Sequence, residues 1–257
     1  MSRIDYRAAM AATDLPRALW LVRHGESAGN VARNQAHAAG AERIEIEAAR
    51  EMDVPLSALG EQQAAALGRW VRGLPAEERP GAILTSPYLR ARRTAEIVAA
   101  AARFEGVLTV DERLRERELG AFDRLTRQGI EKRFPLEAAQ RRAVGKFYYR
   151  PPGGESWCDV ILRLRSVVES LRREHGGQRV LLACHSAVVL CFRCLLERMT
   201  EEQILAIDAA ADVANCSITA YELADGQLQL RRFNFVAPLE EQGAAVTVEP
   251  DASIRPG

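Results

Sequence analysis

The sequence predicts an α/β protein in which helices cover both faces of a mainly parallel central sheet, giving a three-layer α/β/α sandwich. Short apolar runs of strand length alternate along the chain with longer segments whose apolar residues recur at helical spacing. The first such run, residues 18–22, stops abruptly at polar residues, as buried parallel strands do at their carboxyl ends. At 257 residues the chain is long enough to bury the core of one such domain.

The first half of the chain supplies three strands and two helices. The run at 18–22 is followed by a polar, Ala-rich stretch without a predicted element, up to residue 53. Ser57 is a typical N-cap for the first helix, which Gly73 and Pro75 stop. The remaining predicted elements of this half are a strand at 81–85, a helix at 88–104 and a strand at 107–110.

A charged and irregular stretch, residues 111–150, separates the two halves of the chain. Two short helices are expected within it, near 126–134 and 137–144, and neither has the apolar content of a sheet-covering helix. We therefore interpret residues 121–150 as a small helical lid outside the layers of the sandwich.

The second half begins at Ser156 and Asp159, whose spacing resembles a capping box at a helix start. The predicted elements are a helix to residue 174, a strand at 179–184, helices at 186–198 and 201–207, and strands at 216–223 and 227–233. Asp225 and Gly226 indicate a hairpin, and hence an antiparallel addition to the sheet. We predict one domain over residues 1–237 and a mobile C-terminal tail over 238–257, which contains Pro and Glu and few aromatic residues.

Composition argues against several classes of function. The 35 Lys and Arg residues balance 35 Asp and Glu residues, so no net charge attracts nucleic acid or an anionic membrane. No apolar run reaches the roughly 18 residues of a membrane span, and the N-terminus does not resemble a signal peptide, so a cytoplasmic protein is expected. The five cysteines, an odd number within apolar stretches, are predicted to be reduced core residues. The oligomeric state stays open, with a homo-oligomer as one option.

Three of the predicted strands share one design, because each ends in a polar cluster just before a helix begins. The clusters contain Arg23 and His24, Ser86 and Arg90, and His185 and Ser186. In open α/β sheets, ligands bind beyond the carboxyl ends of the strands, where helix N-termini favour anions. A phosphoryl group matches two histidines and two arginines, since guanidinium groups pair with its oxygens and imidazole can act as nucleophile or donor.

These clusters belong to longer motifs that extend over most of the chain. The motifs are Leu-Val-Arg-His-Gly-Glu-Ser at 21–27 with Asn30, Pro-Leu-Ser-x-x-Gly at 55–60, Ser-Pro-Tyr-Leu-Arg at 86–90, Leu-Arg-Glu at 114–116 with Gly120, and Gly-Gly-Glu-Ser at 153–156. In this order, with His185 after the next strand, they resemble the histidine phosphatase superfamily, which includes the phosphoglycerate mutases. The resemblance implies the phosphoglycerate mutase-like fold and a small phosphorylated metabolite as substrate.

The resemblance also implies a role for each matching residue. His24 would attack phosphorus and become a phosphohistidine, while Arg23, Arg90 and His185 hold the oxygens of the transferred group. Asn30 would help to bind the same oxygens. Arginines would stabilise the spreading charge, so neither a metal ion nor another cofactor is implied.

The resemblance assigns the proton transfers to Glu116. This carboxyl would protonate the leaving alkoxide and then accept a proton from the attacking water, a role that requires a raised pKa. Glu118 is the second candidate in the same charged run.

The sequence departs from the family pattern directly after the second histidine, where Ser186 replaces the usual glycine. The hydroxyl of Ser186 could still contact phosphate. The fructose-2,6-bisphosphatase branch accepts a side chain there, and residues 146–156 also look like that branch. It typically has Gln at this position and Arg four residues later, whereas this chain has Ser186 and Leu190, which argues against fructose 2,6-bisphosphate as the substrate.

The length of the lid favours hydrolysis. Cofactor-dependent phosphoglycerate mutases carry a longer insertion that closes over the site, whereas only 37 positions separate Glu116 from Gly153 here. A more open lid admits water, and Arg142, Lys146 and Tyr149 are its predicted substrate contacts. The expected activity is a metal-independent phosphatase. The alternatives are a phosphoglycerate mutase activity and a phosphate-binding pseudoenzyme that turns over poorly.

Overall fold

The computed structural model describes residues 15–248, and six strands within this range form one mixed sheet. They are β1 (Ala18–Arg23), β2 (Ala82–Thr85), β3 (Leu108–Val110), β4 (Arg179–Cys184), β5 (Ile218–Ala224) and β6 (Gln227–Phe235). The order across the sheet is β3-β2-β4-β1-β5-β6. The first four strands of that order are mutually parallel, and β5 and β6 add antiparallel pairs at one edge. The predicted sheet is therefore confirmed.

Nine α-helices occur in the described range. They are α1 (Ala28–Ala38), α2 (Ala58–Gly73), α3 (Leu89–Ala102), α4 (Arg127–Arg133), α5 (Pro135–Val144), α6 (Trp157–His175), α7 (Ser186–Leu196), α8 (Glu201–Ala210) and α9 (Ala237–Glu241). None of the helices in this part of the chain is both long and apolar enough to cross a membrane.

Side chains of β1 alternate between two apolar layers, because successive residues of a strand point to opposite faces. Leu19 and Leu21 belong to a cluster that includes residues of α6 and α7. Trp20 and Val22 belong to a second cluster, on the other face, that includes residues of α2 and α3. The three-layer sandwich is thus confirmed. The five cysteines form no disulfide, and all but the half-buried Cys158 are buried.

Helix α1 has no counterpart among the predicted elements. Its start is fixed by a capping box, in which the Ser27 hydroxyl accepts from the Asn30 N–H and the Asn30 side chain accepts from the Ser27 N–H. Its buried positions are Asn30 and Ala36. Because neither is a large apolar residue, the helix leaves almost no periodic hydrophobic signal in the sequence.

Residues 238–248, for which a mobile tail is predicted, contact the domain. Leu239 in α9 is fully buried in the cluster below α2 and α3. The chain then returns to the domain, where the Ala245 carbonyl and the Thr247 hydroxyl accept hydrogen bonds from Gln63. The segment therefore packs on the domain despite its low apolar content. Residues 249–257 and 1–14 lie outside the described residues.

Candidate active site

The carboxyl ends of β1, β2 and β4 meet at one edge of the sheet, because these three strands are neighbours. Arg23 ends β1, with His24 directly after it; Arg90 lies in the first turn of α3, after β2; and His185 caps α7, after β4. All four side chains are buried, and the His24 and His185 ring centroids are 5.2 Å apart. The predicted convergence of two histidines and two arginines is present.

The hydrogen bonds of His24 define its tautomer. Nδ1 lies 2.7 Å from the Gly25 carbonyl oxygen, which can only accept, so Nδ1 carries the hydrogen. Nε2 therefore keeps its lone pair, toward which Arg90 Nε donates at 3.2 Å. Burial, and then the charges of Arg90 and Arg23, lowers the pKa of His24 well below its usual range. The imidazole is neutral, with a nucleophilic nitrogen facing a guanidinium group.

Arg90 is held by Glu51, a residue that the motifs did not indicate. Arg90 Nη1 donates to the Glu51 carbonyl at 2.9 Å, and Nη2 lies 3.0 Å from Glu51 Oε1. The guanidinium carbon also lies 5.1 Å from the centroid of the Tyr88 ring. Glu51 thus orients Arg90 and at the same time brings a negative charge to a site whose other groups favour an anion.

His185 is oriented by Ser86, the first residue of the second motif cluster. The His185 Nε2 and Ser86 Oγ atoms are 2.8 Å apart. The other ring nitrogen, Nδ1, is buried, makes no hydrogen bond to a described residue and lies 3.9 Å from Glu116 Oε2. Burial, and then the charge of Arg90, lowers the pKa of His185 well below its usual range. A neutral His185 can donate one hydrogen bond to a ligand oxygen from Nδ1.

Glu116 and Glu118, the two candidates for the acid, differ in their partners. Burial raises the pKa of Glu116 above its usual range, and the Arg117 N–H, which donates to Oε1 at 2.8 Å, opposes this only in part. The Glu118 carboxylate accepts a hydrogen bond from the Tyr88 hydroxyl. Glu116 is thus the carboxyl that combines a raised pKa with a position beside His185.

The loop that carries Glu116 is fixed by Glu155 of the Gly-Gly-Glu-Ser motif. The Glu155 carboxylate accepts from Arg115 Nη2 at 2.7 Å, from Arg163 Nε at 2.9 Å and from the Glu118 N–H at 3.1 Å. Burial opposes ionisation, but the Arg163 hydrogen bond lowers the pKa of Glu155, which stays charged. Glu155 therefore connects the loop that contains Glu116 to helix α6.

A cavity of about 160 Å³ extends from His24 toward the lid. Its lining includes Arg23, His24, Asn30, Arg90, Glu116, Glu118, Lys146 and Ser186, together with Arg33, Glu51, Arg117, Asp123, Trp157, Leu190 and Asp208. The predicted residues Asn30, Lys146 and Ser186 therefore reach the same space as His24.

Two of the predicted lid contacts, Arg142 and Tyr149, do not line the cavity. Arg142 is exposed on α5 and is absent from the lining. Tyr149 is buried, with its ring stacked on Phe122 at a centroid distance of 6.2 Å and an interplanar angle of 16°. The sequence could not give the orientation of these side chains, because short lid helices can pack on the domain in more than one way.

The far wall of the cavity contains an ion pair between Lys146 and Asp208 of α8. Their side chains are 15% and 10% exposed, and Lys146 Nζ lies 5.2 Å from the centroid of the Trp157 ring. The positive charge of Lys146 is therefore balanced by the Asp208 carboxylate in the same wall. Asp208 gave no sequence signal, since a single acid in a short helix is usually a surface residue.

Asn215, in the loop before β5, was also missed. It is fully buried, and its Nδ2 donates to the His24 carbonyl at 3.0 Å and to Asn30 Oδ1 at 3.2 Å. A polar amide inside the apolar stretch 213–220 was the available signal, because buried amides need partners. Asn215 thus holds both the backbone of His24 and the side chain of Asn30.

The family model described as "Histidine phosphatase superfamily (branch 1)" matches residues 19–236. The chain belongs to this superfamily. A probable phosphoglycerate mutase of Salmonella paratyphi C is 32% identical over 215 residues, 81% of this chain and 86% of that protein. A chicken 6-phosphofructo-2-kinase/fructose-2,6-bisphosphatase is 33% identical over 188 residues, 73% of this chain but 34% of the chicken protein. A phosphoglycerate mutase-like protein of Arabidopsis thaliana is 34% identical over 170 residues, 62% of this chain and 55% of its own length.

Solved structures of the superfamily share the fold. Bacillus stearothermophilus YhfR has a TM-score of 0.69 at 27% identity, over 86% of this chain and 98% of that chain. A mycobacterial glucosyl-3-phosphoglycerate phosphatase has a TM-score of 0.65 at 25% identity, over 85% of this chain and 99% of that chain. These neighbours support a phosphatase within a superfamily that also contains proteins named as mutases.

Proposed function

We propose that this protein is a metal-independent phosphatase that hydrolyses a small phosphomonoester through a phosphohistidine on His24, with Glu116 as general acid and base. The observation that carries the proposal is the state of His24. Its Nδ1 hydrogen is fixed on the Gly25 carbonyl, and its Nε2 lone pair lies beside Arg90 in a cavity that Glu116 also lines. A neutral, oriented imidazole is a competent nucleophile toward phosphorus.

The reaction would proceed in two displacements. His24 Nε2 forms a bond to phosphorus while the bond to the leaving oxygen breaks, and Glu116 gives its proton to that oxygen. Glu116, now a carboxylate, then takes a proton from water, whose oxygen attacks phosphorus and releases His24. Arg23, Arg90 and the Nδ1 hydrogen of His185 stabilise the charge that spreads over the phosphoryl oxygens.

The far wall of the cavity favours an alcohol part that carries hydroxyl groups. Lys146 offers hydrogen-bond donors and Asp208 offers acceptors, while their opposite charges balance each other. A sugar or polyol monophosphate satisfies both kinds of group, whereas a second anion gains little from a lysine that is already paired. We place this activity in the cytoplasm, in keeping with the five free cysteines.

A mutase activity is the second candidate, because relatives of this chain are named as phosphoglycerate mutases. In a mutase the phosphoryl group passes from His24 to an acceptor alcohol instead of to water. The lid here consists of the short helices α4 and α5, which supports access of water and therefore hydrolysis.

The test is phosphate release from a panel of phosphorylated metabolites and p-nitrophenyl phosphate, with a metal chelator present. Wild type is compared with His24→Ala and with His37→Ala, a matched control because His37 is exposed on α1. We expect turnover and an acid-labile phosphoenzyme from wild type and the control, and neither from His24→Ala.

Other outcomes would redirect the proposal. Turnover by His24→Ala would rule out the phosphohistidine route. Phosphoryl transfer to an added acceptor in place of phosphate release would favour the mutase. Vanadate binding without turnover of any substrate would favour a phosphate-binding pseudoenzyme.

A further inference from the structure

We propose that Thr247 is a positioning residue for the loop that carries His24, and that residues 244–248, which we call the strap, deliver it there. The inference rests on the proposed function, since it concerns the geometry of the proposed nucleophile. The strap lies beyond residues 19–236, so the match to the superfamily assigns it no role.

The first line of contact runs through Asn215. The Thr247 hydroxyl donates to Asn215 Oδ1 at 3.0 Å, and the Asn215 N–H donates to the Thr247 carbonyl at 2.9 Å. With its oxygen held by Thr247, the Asn215 amide directs Nδ2 toward the His24 carbonyl and Asn30 Oδ1. If the amide turned over, two oxygens would face each other at His24, so the hydroxyl selects the supporting orientation.

The second line of contact runs through Gln63 of α2. Gln63 Nε2 donates to the Thr247 hydroxyl at 2.8 Å and to the Ala245 carbonyl at 2.9 Å. Gln63 Oε1 accepts from the Glu26 N–H at 2.8 Å. Gln63 is fully buried, so its amide has no water to replace these partners.

The two lines meet at one atom, the hydroxyl oxygen of Thr247. It accepts from Gln63 and donates to Asn215, and these two amides hold the residues on either side of Gly25. Gly25 in turn supplies the carbonyl that fixes the Nδ1 hydrogen of His24. Loss of the hydroxyl therefore weakens the contacts that fix the tautomer and the orientation of the His24 ring. It removes no group that touches the substrate.

Helix α9 explains how the strap reaches this place. Leu239 is fully buried below α2, and the Ala244 N–H donates to the Leu239 carbonyl at 2.9 Å, which turns the chain back toward the domain. Trp70 Nε1 also donates to Glu241 at 3.0 Å. The strap is anchored to the same helix, α2, that supplies Gln63.

The test compares Thr247→Val, which removes the hydroxyl, with Thr247→Ser, which keeps it. Thr109→Val is the matched control, because Thr109 is exposed on the short edge strand β3. We expect Thr247→Val to lower kcat and the rate of phosphoenzyme formation about tenfold, since small misplacements of a nucleophile are costly. KM should stay within about twofold, and Thr247→Ser should restore most of the rate.

A second readout separates positioning from mere stability. The acid limb of kcat/KM for p-nitrophenyl phosphate should move to lower pH in Thr247→Val, because the hydrogen bond to the Gly25 carbonyl, which raises the pKa of His24, is weakened. An unchanged kcat, a loss that Thr247→Ser does not restore, or a loss with an unmoved acid limb would each overturn the proposal.

If Thr247→Val does not fold, Thr247→Ala replaces it in both measurements. The alanine variant also removes the hydroxyl, and it places no methyl group in the polar space. Failure of the strap proposal leaves the wild-type phosphoenzyme and the inactivity of His24→Ala untouched, so it is distinct from failure of the proposed function.

Discussion

The two ends of the cavity are built differently. At the phosphoryl end, His24, His185 and Arg23 are buried at the ends of neighbouring strands. At the lid end, Lys146 follows α5 and Asp208 belongs to α8, so the wall is assembled from elements outside the sheet. The first end is determined by backbone pairing and the second by side-chain contacts between helices and loops. If the proposed function holds, the sheet would set the reaction class and the lid would set the choice of substrate.

The two ends also differ in charge. Burial, and then the charges of Arg90 and Arg23, lower the pKa values of both histidines at the phosphoryl end, so cationic guanidinium groups surround neutral imidazoles. At the lid end a cation and an anion balance each other. Under the proposed function, the first end would stabilise the charge that develops in the transition state, and the second end would form hydrogen bonds to a neutral part of the substrate.

The largest expected effect concerns Glu116, at the junction of the two ends. Glu116→Gln should lower kcat for alkyl phosphates by roughly 10²–10⁴ and for p-nitrophenyl phosphate much less, because a good leaving group needs little protonation. Since burial raises the pKa of Glu116, the wild-type rate on alkyl phosphates should fall as pH rises through that raised value. The glutamine variant should lack this limb.

The control for this experiment is Glu112→Gln, an exposed acid of the same run. Glu118→Gln provides the discriminating comparison. If Glu118→Gln loses the alkyl substrates and Glu116→Gln does not, the acid lies on the neighbouring residue and the assignment is wrong.

A smaller effect should separate the lid end from the phosphoryl end. Asp208→Asn frees the charge of Lys146, so kcat/KM for 3-phosphoglycerate relative to glycerol 3-phosphate should rise about five- to tenfold. Lys146→Met should lower kcat/KM for polyol phosphates, while Arg142→Met, on the exposed face of α5, should change little. The measurement is kcat/KM for both substrates in all three variants. If the ratio of the two kcat/KM values is unchanged in Asp208→Asn, the Lys146–Asp208 ion pair does not contribute to substrate selectivity.

The smallest expected effect concerns Glu51, the anion within the phosphoryl end. Glu51→Gln keeps an acceptor for Arg90 and removes a negative charge, so KM and the inhibition constant of inorganic phosphate should both fall about threefold. Asp53→Asn is the control, since Asp53 pairs with Arg50 at the surface. A rise in both constants would instead show that Arg90 needs the charge of Glu51 to keep its position.

The two histidines and two arginines that the sequence predicted to converge all lie next to the end of a strand or the start of a helix, so their positions depend on local chain order. Arg23 and His24 end a strand, His185 precedes a helix, and the parallel order of the strands brings them together. Helix α1 escaped prediction because its buried positions are Asn30 and Ala36. Apolar periodicity reports large buried side chains, and a helix that buries an amide gives no such signal.

The parts that did not follow from sequence depend on contacts between distant segments. Glu51 meets Arg90 across 39 positions, and Thr247 meets Gln63 across 184. Asp208 meets Lys146 across 62 positions. None of these pairs has a preferred spacing, so single residues of common type carried no information about their partners.

The sequence by itself determined the α/β sandwich, the superfamily and the group of histidines and arginines at the strand ends, because alternation, capping and motif order are local properties. Only the tertiary structure decided that Tyr149 packs inward, that Lys146 is paired with Asp208 and that residues 238–248 belong to the domain. Those outcomes depend on which side chains meet after the chain has folded, and that is set by packing and by the need of buried polar groups for partners.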